Sequence, residues 1–205
     1  DPNQQDLSAA LQTPGAGHLF GTDRYGRDML SRVIVGARVS IFSALILVAV
    51  IAAAGTLIGM ICGYIQGAAD SIIMRIADIC LAFPGLVFAL AIAAVLNGGV
   101  GNAVIALAVI SWPKYARIAR GQTLAVKSSE YIAAARLAGS TPLKILFRHI
   151  LPNIIGPVLV TAMLDIGTMM MEIAALSFLG LGAKPPTAEW GSMMSGGRSM
   201  LQTYP

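Results

Sequence analysis

The sequence predicts an all-α fold, a polytopic bundle of transmembrane helices that crosses the membrane four times. Only 12% of the 205 residues are charged and the mean hydropathy is +0.74, whereas soluble domains carry roughly 25% charged residues. Several long segments contain no Asp, Glu, Lys or Arg at all. These segments are continuously apolar and lack the alternation of a barrel strand, which favours helices.

The four spans follow from the positions of the charge-free segments. A span needs about 20 mainly apolar residues, and the segment 39–69 holds the first one. The segment 79–113 is too long for one span and contains the turn-forming cluster NGGVGN at 97–102, so it divides into the second and third spans. The fourth span lies in 154–181, whose only charged residues are Asp165 and Glu172.

The first span carries three glycines at a spacing of four residues, Gly55, Gly59 and Gly63. This spacing places them on one helix face, where a second backbone can approach closely. Either another helix of the same chain packs there or a second membrane subunit does. The three glycines are therefore candidates for subunit packing.

The second span begins with Arg75 and Asp78, which are three residues apart and can form an ion pair on one helix face. Pro84 then removes a backbone hydrogen bond and bends the helix. The bend is either a packing feature or a hinge that lines a translocation path. The third span starts near Ala103, and its helix is expected to continue to about Val126.

Asp165 and Glu172 are seven residues apart in the fourth span and share nearly one helix face. Acidic side chains at membrane depth are costly and face protein or water. Two interpretations remain open: the acids line the translocation path, or they are structural and hydrogen-bonded to neighbouring helices.

The charge distribution predicts the orientation. Seven Lys or Arg and one acid lie between Lys114 and Arg148, which places this region in the cytoplasm by the positive-inside rule. Residues 1–38, which include the motif GTDRYGRD, are then an external N-terminal segment. Residues 39–181 form the transmembrane domain with its cytoplasmic loop 128–153, and residues 182–205 form an external loop.

The cytoplasmic loop 128–153 reads as two short helices separated by a sharp turn. Ser128 or Ser129 can cap the first helix, and Gly139 stands where a left-handed residue ends it. Thr141 caps the second helix, whose first residue is Pro142. Leu143, Leu146, Phe147 and Ile150 are expected to form its apolar face, and Pro152 is expected to end it. The pattern indicates a docking element for a cytoplasmic partner, with a solvated surface loop as the alternative.

This loop resembles the "EAA" coupling loop of the inner-membrane permease subunits of bacterial ABC importers. Matching residues at the family spacing are Ala134, Ala135, Gly139, Leu151 and Pro152, whereas Ala133 replaces the expected Glu and His149 the expected Ile. The resemblance implies that this loop, including Ser140, Thr141 and Pro142, couples the permease to an ATPase subunit.

Three further stretches resemble the peptide/nickel branch of these permeases: GTDRYGRDMLSRVIVGARVS, RIADICLAFPGLVFALAI and LDIGTMMMEIAALSFLGLGAKPPTAEWG. Family members have six spans, so the chain is expected to contain spans two to five, with the first and the last missing. The resemblance implies a type I ABC importer permease in the bacterial inner membrane. Its partners would be a second permease subunit, two ABC ATPase subunits and an external substrate-binding protein, and its substrate a peptide or a nickel chelate.

The sequence predicts a subunit without catalytic residues, cofactor or bound metal. No GxxxxGK[ST] phosphate-binding motif occurs, so ATP hydrolysis is expected on separate subunits. The alternative from another class is a secondary transporter driven by an ion gradient, in which Asp165 and Glu172 would bind the ion. That class is usually built from internal repeats, and none is evident here.

Overall fold

The computed structural model describes residues 1–200, so the last five residues of the predicted external loop 182–205 lie outside the described residues. A short 3-10 turn, Leu7–Ala9, precedes the helices. The α-helices are α1 (Met29–Ile65), α2 (Gly67–Ala82), α3 (Gly85–Val95), α4 (Val100–Lys127), α5 (Glu130–Leu137), α6 (Pro142–Lys144), α7 (Leu151–Phe178) and α8 (Trp190–Arg198). Within residues 1–200 the only β pairing is the isolated bridge between Thr22 and Asp28. The all-α prediction is therefore confirmed.

The predicted number of four spans is not confirmed. Within the described part of the chain, α1 and the continuous helical stretch Pro142–Phe178 are long and apolar enough to cross a membrane. The pair α2 and α3 meets the same criterion if the two helices form one broken span. Helix α4, in which the third span was expected, does not meet it, although its end at Lys127 agrees with the predicted end near Val126.

Pro84 breaks a helix instead of bending it. Helix α2 ends at Ala82, and α3 starts at Gly85 in a direction that differs by 95°. The residue before a proline is driven toward extended backbone, and Phe83 has φ −92° and ψ 148°. The N–H groups of Val87 and Phe88 donate to the Pro84 carbonyl and begin the new helix.

The expectation that Pro152 ends the second short helix is wrong. Residues Ile145–Ile150 form a π-helical segment, and Pro152 follows it as the second residue of α7. Proline lacks an N–H and its ring collides with a carbonyl of the preceding turn in a regular α-helix. Just before the proline, the Leu151 N–H donates to the carbonyl of Leu146, five residues earlier, and the helix continues through Pro152.

The chain divides into two compact units. The first contains Asp1–Ile46, Ala89–Ala106 and Thr168–Pro205, and the second contains Leu47–Phe88 and Leu107–Gly167. Residues 1–38 and 182–200, the described parts of the two segments that the sequence predicts to be external, belong to the first unit. The predicted cytoplasmic loop 128–153 belongs to the second.

Glu189 organises the first unit. Its carboxylate is fully buried and accepts hydrogen bonds from the N–H groups of Gly191 at 3.0 Å and Ser192 at 2.9 Å, which caps α8. The same carboxylate lies 3.3 Å from the Ser40 hydroxyl of α1. The neighbouring Trp190 indole N–H donates to the Val33 carbonyl at 3.0 Å. These contacts attach α8 to the first part of α1.

We expect Glu189→Gln to lower the stability of the first unit by about 2 kcal/mol. The new NH2 group cannot accept a hydrogen bond, yet it faces N–H groups that now donate to the carboxylate. Hydrogen exchange of the α8 amides in the assembled permease measures the effect. The control is Glu130→Gln, a change at an exposed glutamate, which leaves α8 protection unchanged. Unchanged α8 exchange in Glu189→Gln would contradict this role.

In the second unit, the glycine face of α1 is covered by α4 of the same chain. A side chain at Gly55 would collide with the Trp112 carbonyl and with Tyr115, and one at Gly59 with the backbone of Ala116. Gly63 faces Arg120 and Thr123 in the same way. The sequence left open whether a helix of the same chain or a second subunit packs on this face. In the structure α4 of the same chain occupies it, which leaves no room there for a second subunit.

We expect Gly59→Leu to destabilise the second unit by about 3 kcal/mol, since the α1–α4 contact is between backbones and has no space to absorb a side chain. The thermal midpoint of the purified permease reports the loss. Gly121→Leu on α4 is the matched control, because Gly121 faces open space. An equal midpoint for the two variants would show that the seam is not tightly packed.

Candidate coupling site

The loop 128–153 is called here the coupling element. Its first half, which contains α5, ends in a Schellman motif. The N–H of Gly139 donates to the Arg136 carbonyl at 3.0 Å, and the N–H of Ser140 donates to the Ala135 carbonyl at 3.0 Å. Gly139 has φ +75°, the left-handed conformation that glycine adopts without strain. The predicted role of Gly139 as the residue that ends α5 is confirmed.

The second half begins as the sequence predicts. The Thr141 hydroxyl accepts a hydrogen bond from the Lys144 N–H at 3.4 Å, and Pro142 occupies the first helical position. Ser129 also stands at the predicted cap position of α5, but its hydroxyl donates to the Val126 carbonyl at 2.6 Å instead of accepting from α5. The turn between the two helices is thus fixed by Gly139, Thr141 and Pro142.

One side of the coupling element is anchored in the second unit by a hydrophobic cluster. The cluster consists of Met60, Ala119, Ile132, Ile145, Leu146, Ile150 and Ile154, with Leu151 packed against it. Ile132 and Ile150 are fully buried. Because these residues connect α1, α4 and α7 to both halves of the element, its position is set by packing.

The other side of the coupling element is exposed and apolar. Leu137 is 90% exposed and Leu143 is 67% exposed, and they flank the Gly139 turn. The four residues expected to form one apolar face are divided, because Leu146 and Ile150 are buried whereas Leu143 and Phe147, which is 50% exposed, are not. The π segment shifts the angular positions of these residues, so that only Leu146 and Ile150 of the four turn inward. Ala134 is exposed beside the turn and Pro152 is also exposed.

Two basic side chains contact the end of α1: Lys127 at the end of α4, and Arg136 of the coupling element. The Lys127 ammonium donates to the Tyr64 carbonyl at 2.7 Å and to the Gln66 side chain at 3.1 Å. The Arg136 guanidinium of α5 lies 5.6 Å from the centre of the Tyr64 ring, within cation–π range. Lys144 and Arg148 are exposed, so the free side of the element is basic as well as apolar.

Helix α4 is connected to α2 and α7 by three ion pairs that the sequence reasoning missed. Arg120 forms a bidentate pair with Asp70 at 2.6 Å for both bonds, and Arg117 pairs with Asp78. The sequence spacing would allow Asp78 to pair with Arg75 of its own helix, whereas the structure pairs Asp78 with Arg117. The spacing of three residues along α4, from Lys114 to Arg117 to Arg120, was the available signal.

The third pair involves the translocation-path candidate Asp165. Its buried carboxylate accepts hydrogen bonds from the Lys114 ammonium at 2.6 Å and from the Tyr115 hydroxyl at 2.9 Å. This is the arrangement that the structural interpretation of Asp165 expects. The other two candidates lie elsewhere in the chain: Glu172 is half-buried in the part of α7 that belongs to the first unit, and Pro84 stands at the break between α2 and α3.

The long apolar helices define the class of this protein: a multi-pass membrane protein. Residues 55–203 match the family described as "Binding-protein-dependent transport system inner membrane component". The chain therefore belongs to this family, and it is a multi-pass component of the bacterial inner membrane.

Relatives of known name agree with this assignment. The chain is 46% identical over 201 residues to the probable D,D-dipeptide transport system permease protein DdpC of Escherichia coli (strain K12), covering 98% of this chain and 67% of the relative. It is 42% identical over 203 residues to the glutathione transport system permease protein GsiD of Pectobacterium atrosepticum, covering 99% and 67%. The GsiD protein of Escherichia coli O157:H7 is 45% identical over the same length and coverage. All three are named as permeases of transport systems.

Proposed function

We propose that this chain is one of two permease subunits of an ATP-driven importer for short peptides, and that its coupling element docks on an ABC ATPase subunit. The observation that carries the proposal is the two-sided character of that element. Ile132 and Ile150 fix one side, whereas Leu137 and Leu143 expose apolar surface at a turn whose backbone is locked. Exposed apolar groups on a rigid support are typical of a protein interface.

The partners follow from the family. A binding-protein-dependent system needs an external binding protein, and ATP hydrolysis on separate subunits would supply the energy. In this proposal, residues 128–153 face the cytoplasm, and residues 1–38 and 182–205 face the outside. The contacts of α8 with the first part of α1 support this placement, because two external segments have to lie on the same side of the membrane.

The substrate class rests on the relatives, two of which are named for glutathione and one for a dipeptide. Both are short peptides or peptide-like molecules, so we favour peptides over a nickel chelate. Glu172 and Pro84 remain proposed path residues, whereas we assign Asp165 a structural role because of its two partners.

Site-specific crosslinking tests the docking. In a Cys62→Ala, Cys80→Ala background, Leu143→Cys is expected to crosslink to the ATPase subunit in membranes of cells that express the complete system. Leu159→Cys on α7, which is 50% exposed but distant in sequence from the turn, is the control. Crosslinking of Leu159→Cys and not of Leu143→Cys would refute the docking proposal.

Transport by the reconstituted system tests the energy source and the substrate. Proteoliposomes that contain both permeases, the ATPases and the binding protein are expected to take up labelled Ala-Ala only when ATP is present. Uptake that follows an imposed proton gradient without ATP would support the secondary transporter instead. Uptake of labelled nickel without peptide uptake would overturn the proposed substrate class.

A further inference from the structure

The first unit contains a cavity of about 590 Å³, within the roughly 300–1,000 Å³ range typical of small-molecule sites. It is formed by the N-terminal segment, the first turn of α1 and the residues around α8. None of the coupling residues lines it. A cavity of this size can hold a small organic molecule.

A buried arginine forms part of the cavity wall. The side chain of Arg32 is 5% exposed, and its Nη1 group donates to the Pro2 carbonyl at 3.0 Å, the Asn3 side chain at 3.1 Å and the Pro186 carbonyl at 3.4 Å. These acceptors are all neutral. Among the described residues that line the cavity, the only carboxylate is that of Asp23, whose Oδ2 lies 3.9 Å from the Arg32 Nε.

Asp23 is already engaged by another arginine. Its Oδ2 accepts from the Arg27 Nε at 2.7 Å and lies 2.6 Å from the Arg27 Nη2. Burial alone would raise the pKa of Asp23, but the hydrogen bonds from Arg27 hold this pKa below its ordinary value, so the carboxylate stays charged. Asp23 therefore lies much closer to Arg27 than to Arg32, whose Nε is 3.9 Å away.

The cavity is consequently positive. Arg24, Arg27 and Arg32 line it together with the single acid Asp23, which leaves an excess of two positive charges. A buried cation without a well-placed counter-ion is costly. Guanidinium groups bind carboxylates through two parallel hydrogen bonds, so an anionic carboxylate is the natural complement.

The remaining walls suit an organic molecule. The guanidinium groups of Arg24 and Arg27 lie 4.8 Å and 4.7 Å from the centre of the Tyr25 ring, within cation–π range. Met29 and Met193 add thioether side chains, which adapt to irregular apolar surfaces. The cavity therefore offers a charged side for a carboxylate and an adaptable side for apolar groups.

We propose that this cavity binds a small carboxylate-bearing molecule, namely a short peptide held by its C-terminal carboxylate, with Arg32 as the ionic partner. The choice of a peptide as the carboxylate donor rests on the proposed function, whereas the site itself rests on the cavity and its charge. The binding would occur on the permease, separately from the external binding protein.

The test uses the full-length permease pair in nanodiscs, without ATPase subunits and without binding protein. Isothermal titration with Ala-Ala is expected to show binding, and Ala-Ala amide, which lacks the carboxylate, is expected to bind about tenfold more weakly. Arg32→Gln should weaken Ala-Ala binding by about tenfold as well. Arg38→Gln, at an exposed arginine of α1 outside the cavity, is expected to leave it unchanged.

A second pair of variants keeps the charges intact. Met193→Trp fills the cavity and should abolish Ala-Ala binding, whereas Met194→Trp, at a neighbour that is 67% exposed and does not line the cavity, should not. Equal affinity for Ala-Ala and its amide, or an unchanged affinity in Met193→Trp, would overturn the proposal. So would the absence of Ala-Ala binding to the unmodified permease pair in this preparation. Crosslinking of Leu143→Cys to the ATPase is independent of all these outcomes, so failure of this site and failure of the coupling proposal remain distinguishable.

Discussion

Replacing Lys114 with methionine is expected to lower the stability of the permease more than replacing its partner Asp165 with asparagine. The reason is the difference in exposure of the two side chains, which is 49% for Lys114 and 5% for Asp165. Without Lys114, a buried carboxylate keeps only the Tyr115 hydroxyl as a partner. We expect a loss of about 3 kcal/mol for Lys114→Met, and about 1 kcal/mol for Asp165→Asn, because the freed ammonium reaches water.

The double variant Lys114→Met, Asp165→Leu provides the control. Replacing a buried ion pair by apolar side chains is often nearly neutral, so the thermal midpoint of the double variant is expected to return close to that of the unmodified permease. A double variant that is less stable than Lys114→Met would contradict the pairing.

Peptide uptake distinguishes a structural role of Asp165 from a role in the translocation path. Loss of uptake by Asp165→Asn at an unchanged thermal midpoint would show that this carboxylate lines the translocation path.

Replacing Gly139 with valine is expected to reduce peptide uptake strongly while the permease still inserts into the membrane. A β-branched residue in the left-handed conformation is strained by about 2 kcal/mol, which reduces the population of the native turn by more than tenfold. The space around Gly139 is open, so the effect comes from the backbone and not from a collision. Uptake of labelled Ala-Ala by the reconstituted system measures it.

Gly139→Asn is the matched control, since asparagine adopts the left-handed conformation far more readily than valine does. It should retain most of the uptake although it adds a larger, polar side chain at the same place. If valine and asparagine impair uptake equally, the contact surface at residue 139 matters and the locked turn does not.

Features decided within a few residues could be predicted from the sequence. The left-handed Gly139, the Thr141 cap and Pro142 at the first helical position depend only on local backbone chemistry, and all three are present. The same holds for the turn after α3, where Asn97 and Gly98 have positive φ. Local propensity is strong at such positions because few side chains fit.

Features that depend on contacts between residues distant in the chain could not be predicted from the sequence. Asp78 pairs with Arg117, and Glu189 lies 3.3 Å from Ser40, and nothing in the spacing of one helix shows which other helix will face it. Pro152 was misjudged because a proline stops a regular α-helix but is tolerated beside a π turn, and the sequence gives no simple signal for such a turn. The exposed side of the coupling element was misassigned for the same reason.

The π segment Ile145–Ile150 also has a mechanical consequence. A π turn holds more residues than the 3.6 of an α turn. This part of the continuous helix therefore contains more residues than the same number of α turns would. If that surplus passed into regular α geometry, the residues beyond it would rotate about the helix axis by about 100° for each residue absorbed. Conversion of the π segment to α geometry would therefore turn α7 about its own axis relative to the Gly139 turn without unwinding either end.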